Sequence, residues 1–287
     1  MDFIYVFNGL GNQMSQYSLS LIKKSKGHKV TCIFKNTAHN GIELNRIFGI
    51  NTNNSVHLPI YNFLFRILSS SRFPFVKNCF ELFLSIFGMK SYVENRDYSF
   101  KPAALLNSNK KVLYIGGWHH YKYLEGYEHL INDTFKFPMF KDERNLRIAN
   151  EIDNHSVAIH IRKGDYVDKY NYNIYGRVCD EDYYKNAINK MESVLDSPVY
   201  YVFSNDIDWA RKIIAHRKAV YIDWNKGENS WADMSLMSMF KNIIIANSTF
   251  SWWAAWLGRS DKYVICPKVF VYNDLTSDIY KQEWNRV

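Results

Sequence analysis

The sequence predicts an α/β protein made of two halves, residues 1–150 and 151–287. Two observations carry that prediction. From about residue 150 onward, short apolar runs alternate with longer helical patterns, the rhythm of a parallel sheet with helices on both faces. The N-terminal residues run once through the same order: strand, glycine-bearing loop, helix, strand. A chain of 287 residues, 47% hydrophobic and 22% charged, can bury a core in each half, so disorder is not the default.

In order, Asp2 to Phe7 reads as the first strand and Asn8-Gly9-Leu10-Gly11-Asn12-Gln13 as a turn. Met14 to Lys26 reads as a helix stopped by Gly27, and Lys29 to Phe34 as the second strand. Residues 36–125 are less regular. Ile60 to Leu68 and Cys79 to Phe87 read as two helices, split by Ser69-Ser70-Ser71 and Pro74. Two readings stay open for them. They form a hairpin packed on the first sheet, or, with Arg66, Lys77 and Lys90 around them, a basic-aromatic surface for a peripheral membrane contact. Val112 to Ile115 is a strand opening into Gly116-Gly117-Trp118-His119-His120. The second half has strands at Val157–Ile161, Val199–Phe203, Val220–Ile222, Ile243–Ala246 and Val264–Cys266. Helical patterns fill Tyr183–Val194, Trp209–Ala215, Ala232–Lys241 and Phe250–Leu257. The boundary falls near residues 140–155, with no linker rich in Pro, Gly or Ser.

The net charge of +8 admits nucleic acid, an anionic membrane face or a phosphorylated ligand as partner. Basic residues are scattered and form no polybasic tail, which argues against nucleic acid. Cys32, Cys79, Cys179 and Cys266 stand far apart and make no Cys-x-x-Cys pair, so a reduced, cytoplasmic setting is expected. The N-terminus has neither the basic start nor the apolar run of a signal peptide. No apolar stretch approaches the ~20 residues of a membrane helix.

Three strand ends carry candidate chemistry. The first is His160-Ile161-Arg162-Lys163-Gly164-Asp165-Tyr166, after the buried strand Val157-Ala158-Ile159. It delivers an imidazole, a guanidinium and a carboxylate to the edge where open α/β sheets bind ligands. The arginine fork matches phosphate oxygens. The second is Phe203-Ser204-Asn205-Asp206, where a carboxylate can accept two hydrogen bonds from a guanine edge or hold a ribose. Asp206-Ile207-Asp208 also has a metal-diphosphate spacing, but Asp208 precedes a helix start and reads better as its N-cap. The third is Asn247-Ser248-Thr249-Phe250-Ser251-Trp252-Trp253, where hydroxyls and backbone amides at a helix start can hold phosphate oxygens and the tryptophans fill the core. The Gly9/Gly11 turn lacks the third glycine of a dinucleotide fingerprint and is no P-loop. It reads as a plain capping turn or a ligand loop. His119 and His120 read as structural or as acceptor-binding; no third ligand suggests zinc. No Gly-x-Ser-x-Gly turn supports a serine nucleophile.

Taken together, Gly9-Leu10-Gly11-Asn12-Gln13, His160 to Tyr166 and Asn247 to Trp253 resemble the bacterial α-1,2-fucosyltransferases in order and spacing, over nearly the whole chain. The resemblance implies a GT-B arrangement: two Rossmann-like domains with the active-site cleft between them, the first (1–150) on the acceptor side and the second (151–287) binding the donor. It implies transfer of L-fucose from GDP-fucose to the 2-hydroxyl of a terminal galactose, with inversion and no required metal. The acceptor would be a galactose-terminated oligosaccharide or lipid-linked glycan of a bacterial surface polysaccharide, O-antigen or capsule, made at the inner face of the cytoplasmic membrane. By the same resemblance Arg162 binds the diphosphate, His160 and Asp206 hold guanine, and Ser204, Ser248, Thr249 and Phe250 complete the donor site. Gly11 and Asn12 approach the sugar-phosphate from the other half. Lys163 stands where the family usually has a second arginine, which keeps the charge and loses the bidentate fork.

That chemistry asks for a fixed cation on the departing diphosphate, and Arg162 is the candidate. A base can take the acceptor proton, with Asp165 nearest in sequence and Asp168 next; the leaving phosphate itself is the alternative. Two other classes compete: a nucleotide-binding module without turnover, and an enzyme using another sugar nucleotide.

Overall fold

The computed structural model describes residues 1–36, 40–54, 58–68, 74–86, 88–94, 98–106, 108–163, 172–272 and 279–287. They form two compact units, Met1–Lys136 and Phe137–Val287. Each carries a parallel sheet, as the apolar rhythm predicts.

In the first unit the strands are β1 (Asp2–Val6), β2 (Val30–Phe34), β3 (Met89–Val93) and β4 (Lys111–Ile115), in the order β2-β1-β4-β3. The helices are α1 (Leu10–Ser25), α2 (Leu44–Phe48), α3 (Leu58–Leu68), α4 (Pro74–Ile86) and α5 (Glu128–Thr134). Side chains alternate across the sheet. Phe3, Tyr5, Leu113 and Ile115 meet Leu64 and Leu68 of α3 and Leu84 of α4. Ile4, Val112 and Tyr114 pack with Leu19 of α1. So α3 and α4 do form a cover on the first sheet. Their far side leaves Ile60, Phe63, Leu82, Phe83 and Ile86 at least half exposed. No helix among the described residues is long and apolar enough to cross a membrane.

Two boundaries differ from expectation for stated reasons. The left-handed residue of the first turn is Asn8 (φ 66°), and Gly9 is extended, so α1 begins at Leu10 rather than Met14. Gly11 and Asn12 therefore lie in the helix. The helix α4 starts at Pro74, a residue expected to break the chain between two helices; proline is tolerated in a first turn, where its missing N–H has no partner to lose. The short, half-buried β3 is an addition to the expected strands, since it carries no strong apolar signal.

The second unit has β5 (Ser156–Ile161), β6 (Val199–Ser204), β7 (Ala219–Ile222), β8 (Asn242–Ile244), β9 (Tyr263–Cys266) and β10 (Asn285–Arg286). Its helices are α6 (Glu143–Glu151), α7 (Glu181–Glu192), α8 (Ile207–Ile214), α9 (Trp231–Met239) and α10 (Thr249–Trp256). The order is β10-β9-β8-β5-β6-β7, the doubly wound arrangement of dinucleotide-binding folds. The chain runs outward through β6 and β7, then returns to the other side of β5. Buried β5, β6 and α7 residues such as Ile159, Val202, Tyr184 and Ile188 share one core. The two-residue β10 is too short to leave a pattern and also adds to the expected strands. Helix α6 goes with this unit because Asn145 bonds both Asn225 (2.8 Å) and the Trp224 indole (2.8 Å). The units therefore part at 136/137, whereas the sequence pattern puts the boundary at 150/151.

Candidate functional site

In the second unit the strand order reverses between β5 and β8. The crevice outside the carboxyl ends at such a reversal is where α/β sheets take ligands. Residues from all three predicted strand ends lie along this edge. His160 and Arg162 end β5, Ser204 and Asp206 follow from β6, and Ser248, Thr249 and Phe250 follow β8 into α10.

His160 is 5% exposed, and its ring lies 5.8 Å from that of Phe250. Burial first, and the Arg162 charge second, lower its pKa to about 3, so the imidazole is neutral. Its buried Nδ1 has no hydrogen-bond partner among the described residues. Such atoms are rare in folded proteins and mark places where a ligand or water belongs. Arg162 is half-buried. Its backbone N–H donates to the Tyr184 hydroxyl (3.2 Å), which donates in turn to the His160 carbonyl (3.1 Å). A fully buried tyrosine from α7 thus sets the end of β5. The Lys163 amide donates to the Asn205 side chain (3.0 Å), tying this loop to the one after β6. The Lys163 ammonium lies 4.0 Å from the Trp209 ring centre, a cation–π seat on α8.

Two predicted donor-site residues also do local structural work. The Ser204 hydroxyl donates to the Asp206 carbonyl (3.0 Å) and accepts from its amide (2.9 Å). Asp206 caps α8, one carboxylate oxygen accepting from the Trp209 amide (3.0 Å). The expectation that Asp208 is the cap is therefore corrected: Asp208 sits inside the first helical turn. Ser248 caps α10, accepting from the Phe250 amide (3.3 Å), with Thr249 and Phe250 half-buried behind it. Asn247 is a strut, donating to the Tyr175 and Phe270 carbonyls. Trp252 and Trp253 are core. Asp165 and Asp168 lie outside the described residues. No three His, Cys, Asp or Glu side chains gather as a metal site among the described residues.

Gly11 and Asn12 belong to the first unit, in the opening turn of α1. Gln13 beside them is a latch. Its buried amide donates to the Asn8 (2.6 Å) and Gly41 (2.7 Å) carbonyls, and its oxygen accepts from the Glu43 amide (2.9 Å). Asn12 instead lines a cavity together with Gln16, Glu94, Tyr98 and His119. His119 is buried, 3.0 Å from the Ser15 hydroxyl, and burial lowers its pKa to about 3. Sequence reasoning missed Tyr184, Asn205, Gln16 and Glu94. None has a local signature, because each acts on backbone or side chains far along the chain.

The family described as Glycosyl transferase family 11 matches residues 3–287. Two Escherichia coli proteins are similar along nearly their whole length. The O-antigen biosynthesis glycosyltransferase WbnK is 30% identical, over 96% of this chain and 97% of its own. An alpha-1,2-colitosyltransferase is 31% identical, over 97% and 96%. A galactoside alpha-(1,2)-fucosyltransferase 2 of Rattus norvegicus is 34% identical over 41% of this chain and 34% of its own. Among solved structures, a mutant of Arabidopsis thaliana FUT1 in complex with GDP aligns with a TM-score of 0.50 and 11% identity. That alignment covers 92% of this chain and 69% of the other, a likeness of fold alone.

Proposed function

The chain belongs to glycosyl transferase family 11, and from that premise we propose that it moves L-fucose from GDP-fucose, with inversion and without a metal, to the 2-hydroxyl of a terminal galactose on a bacterial surface glycan. The observation that carries the donor assignment is His160: a buried neutral imidazole with a nitrogen unpartnered among the described residues, beside a guanidinium, at the sheet's reversal point. A neutral ring can bond a nucleobase without repelling Arg162. In this reading Arg162 neutralises the diphosphate as the anomeric C–O bond breaks and the sugar takes oxocarbenium character. Asp206 offers its carboxylate to guanine, and Ser204, Ser248, Thr249 and Phe250 line phosphate and ribose. Gly11 and Asn12 meet the sugar-phosphate. Asp165, with Asp168 as the second choice, takes the proton of the attacking hydroxyl.

The relation to a colitosyltransferase favours one second reading, a different deoxyhexose on the donor. A donor panel with one galactoside acceptor separates the two. The exposed apolar residues of α3 and α4, with Arg66 of α3 and Lys90 of β3 also exposed, suit an anionic bilayer at the inner membrane face. Sedimentation with anionic liposomes tests that contact; absence of binding at low salt removes it.

The decisive experiment is Arg162→Ala and Arg162→Lys, with GDP-fucose consumption and GDP calorimetry as readouts. Both variants are expected to fold and to lose about a hundredfold or more in transfer, the usual loss for one fixed charge-stabilising group. Retention of most activity in Arg162→Lys removes the diphosphate role.

A further inference from the structure

Successive side chains of a strand point to opposite faces of its sheet. On β5 the odd-numbered Val157, Ile159 and Ile161 enter the core beneath α7 and α8, with Tyr184 and the half-buried Trp209. His160 has the other parity; its ring meets Phe250, and Arg162 lies close enough for its charge to act on that ring. Lys163 continues the odd-numbered row, and its side chain runs to α8, where the ammonium lies 4.0 Å from the Trp209 ring centre. After Lys185, it also helps to hold the Glu181 carboxyl at the start of α7 below its usual range. Alternation thus parts two adjacent cations: Arg162 stays with the candidate donor residues, and Lys163 turns to the helices.

Trp209 gathers several tethers of this strand end. Its ring stands edge-on to that of Tyr184, 5.6 Å between centres at 76°. The Tyr184 hydroxyl accepts from the Arg162 amide (3.2 Å) and donates to the His160 carbonyl (3.1 Å). The Trp209 amide donates to the Asp206 carboxylate (3.0 Å), which fixes the first turn of α8. Asn205, just ahead of that turn, accepts from the Lys163 amide (3.0 Å). Arg162 is therefore held from two sides. Tyr184 takes its own amide, and Asn205 and Trp209 take the amide and the ammonium of the next residue. A guanidinium that must meet a diphosphate in one orientation needs such support, because its placement has to hold to about 0.5 Å.

We infer that Trp209 is a positioning residue for Arg162, and that the Lys163 ammonium serves this ring rather than the diphosphate. The inference rests on the donor reading, in which Arg162 meets the diphosphate.

A double-mutant cycle on GDP affinity, read by calorimetry on the full chain, tests it. Lys163→Met keeps a stem and removes the charge; Trp209→Leu removes the ring. Lys163→Met is expected to weaken GDP roughly fivefold, the size of one half-buried cation–π contact. In the Trp209→Leu background the same change is expected to cost less than about twofold, because the partner has already gone. Lys163→Arg, which stacks on the same ring, should restore the parental affinity. A loss of the same size in both backgrounds, or none in either, overturns the inference. So does a fall in urea stability with GDP affinity unchanged.

A second readout needs no Trp209 variant and stands if Trp209→Leu fails to fold. In lysine-labelled protein the Lys163 ε-methylene signal, identified by its absence from Lys163→Met, should lie upfield under the indole ring current and stay there when GDP is added. A signal that returns to the usual lysine position on GDP binding puts the ammonium on the diphosphate and overturns the inference. A parent protein that binds no GDP refutes the donor reading instead. The coupling of Lys163 to Trp209 is then read from urea midpoints by the same cycle, where additive losses refute it.

Discussion

Removing one oxygen atom from Tyr184 is expected to loosen the end of β5. The ring is fully buried on α7 and packs against Tyr183 (5.0 Å between centres) and Trp209 (5.6 Å), so phenylalanine keeps its place and volume. What disappears is one hydroxyl that accepts from the Arg162 amide and donates to the His160 carbonyl. A buried polar group left without a partner costs about 1–3 kcal/mol. The His160 carbonyl belongs to a buried residue and bears that loss, while the half-buried Arg162 amide can recruit water. The expected destabilisation of Tyr184→Phe is therefore about 2 kcal/mol, read from the urea midpoint at unchanged m-value. Because Arg162 follows this anchor directly, GDP affinity should fall with it, by roughly tenfold. Unchanged stability and unchanged GDP affinity would refute the claim that this hydroxyl positions the strand end.

Three further outcomes are expected. Gln13→Leu removes the latch on Asn8, Gly41 and Glu43 and should destabilise the protein by about 3 kcal/mol or more in thermal unfolding; a loss below about 1 kcal/mol contradicts the latch. Burial raises the Asp233 carboxyl from 3.8 to about 7, against the hydrogen bond it accepts from Asn225 (2.7 Å). The folded protein thus keeps a proton that the unfolded chain has already released, and stability falls as pH rises between those two values. Asp233→Asn keeps an oxygen for Asn225, so its Tm advantage over the parent should widen from about pH 4 to about pH 8; a constant difference refutes the shift. Transfer is expected to persist in EDTA, and a strict need for Mn²⁺ or Mg²⁺ would return Asp206-Ile207-Asp208 to consideration as a metal site.

Much of the fold is legible in the order of residues. Buried runs such as Val157–Ile161 and Val199–Phe203 suit strands covered on both faces, and the helical patterns between them require a parallel sheet. The helical patterns of the second half match α7 to α10 to within two residues at each end. The chemistry at strand ends is legible for the same reason: His160, Arg162, Ser204 and Ser248 each follow closely on an apolar run. Local errors come from competing local roles. Glycines 9 and 11 suggest a loop, but Asn8 takes the left-handed conformation and lets the helix begin at once. Two aspartates stand at the start of α8, and backbone geometry gives the cap to Asp206.

The amino-acid order alone determines the elements and the residues presented at their ends, because strand and helix periodicity and capping act over a few neighbours. Only the tertiary structure decides which strands lie side by side. The adjacency of β5 and β8, which creates the reversal, joins segments some eighty residues apart. The hydrogen bond from Gln16 to Gly116 spans 100 residues, and Glu94 meets Gly117 and Trp118 only because β3 and β4 pair. Contacts of that range leave no periodic trace in the sequence, since they depend on how sheets assemble and not on the preferences of adjacent residues.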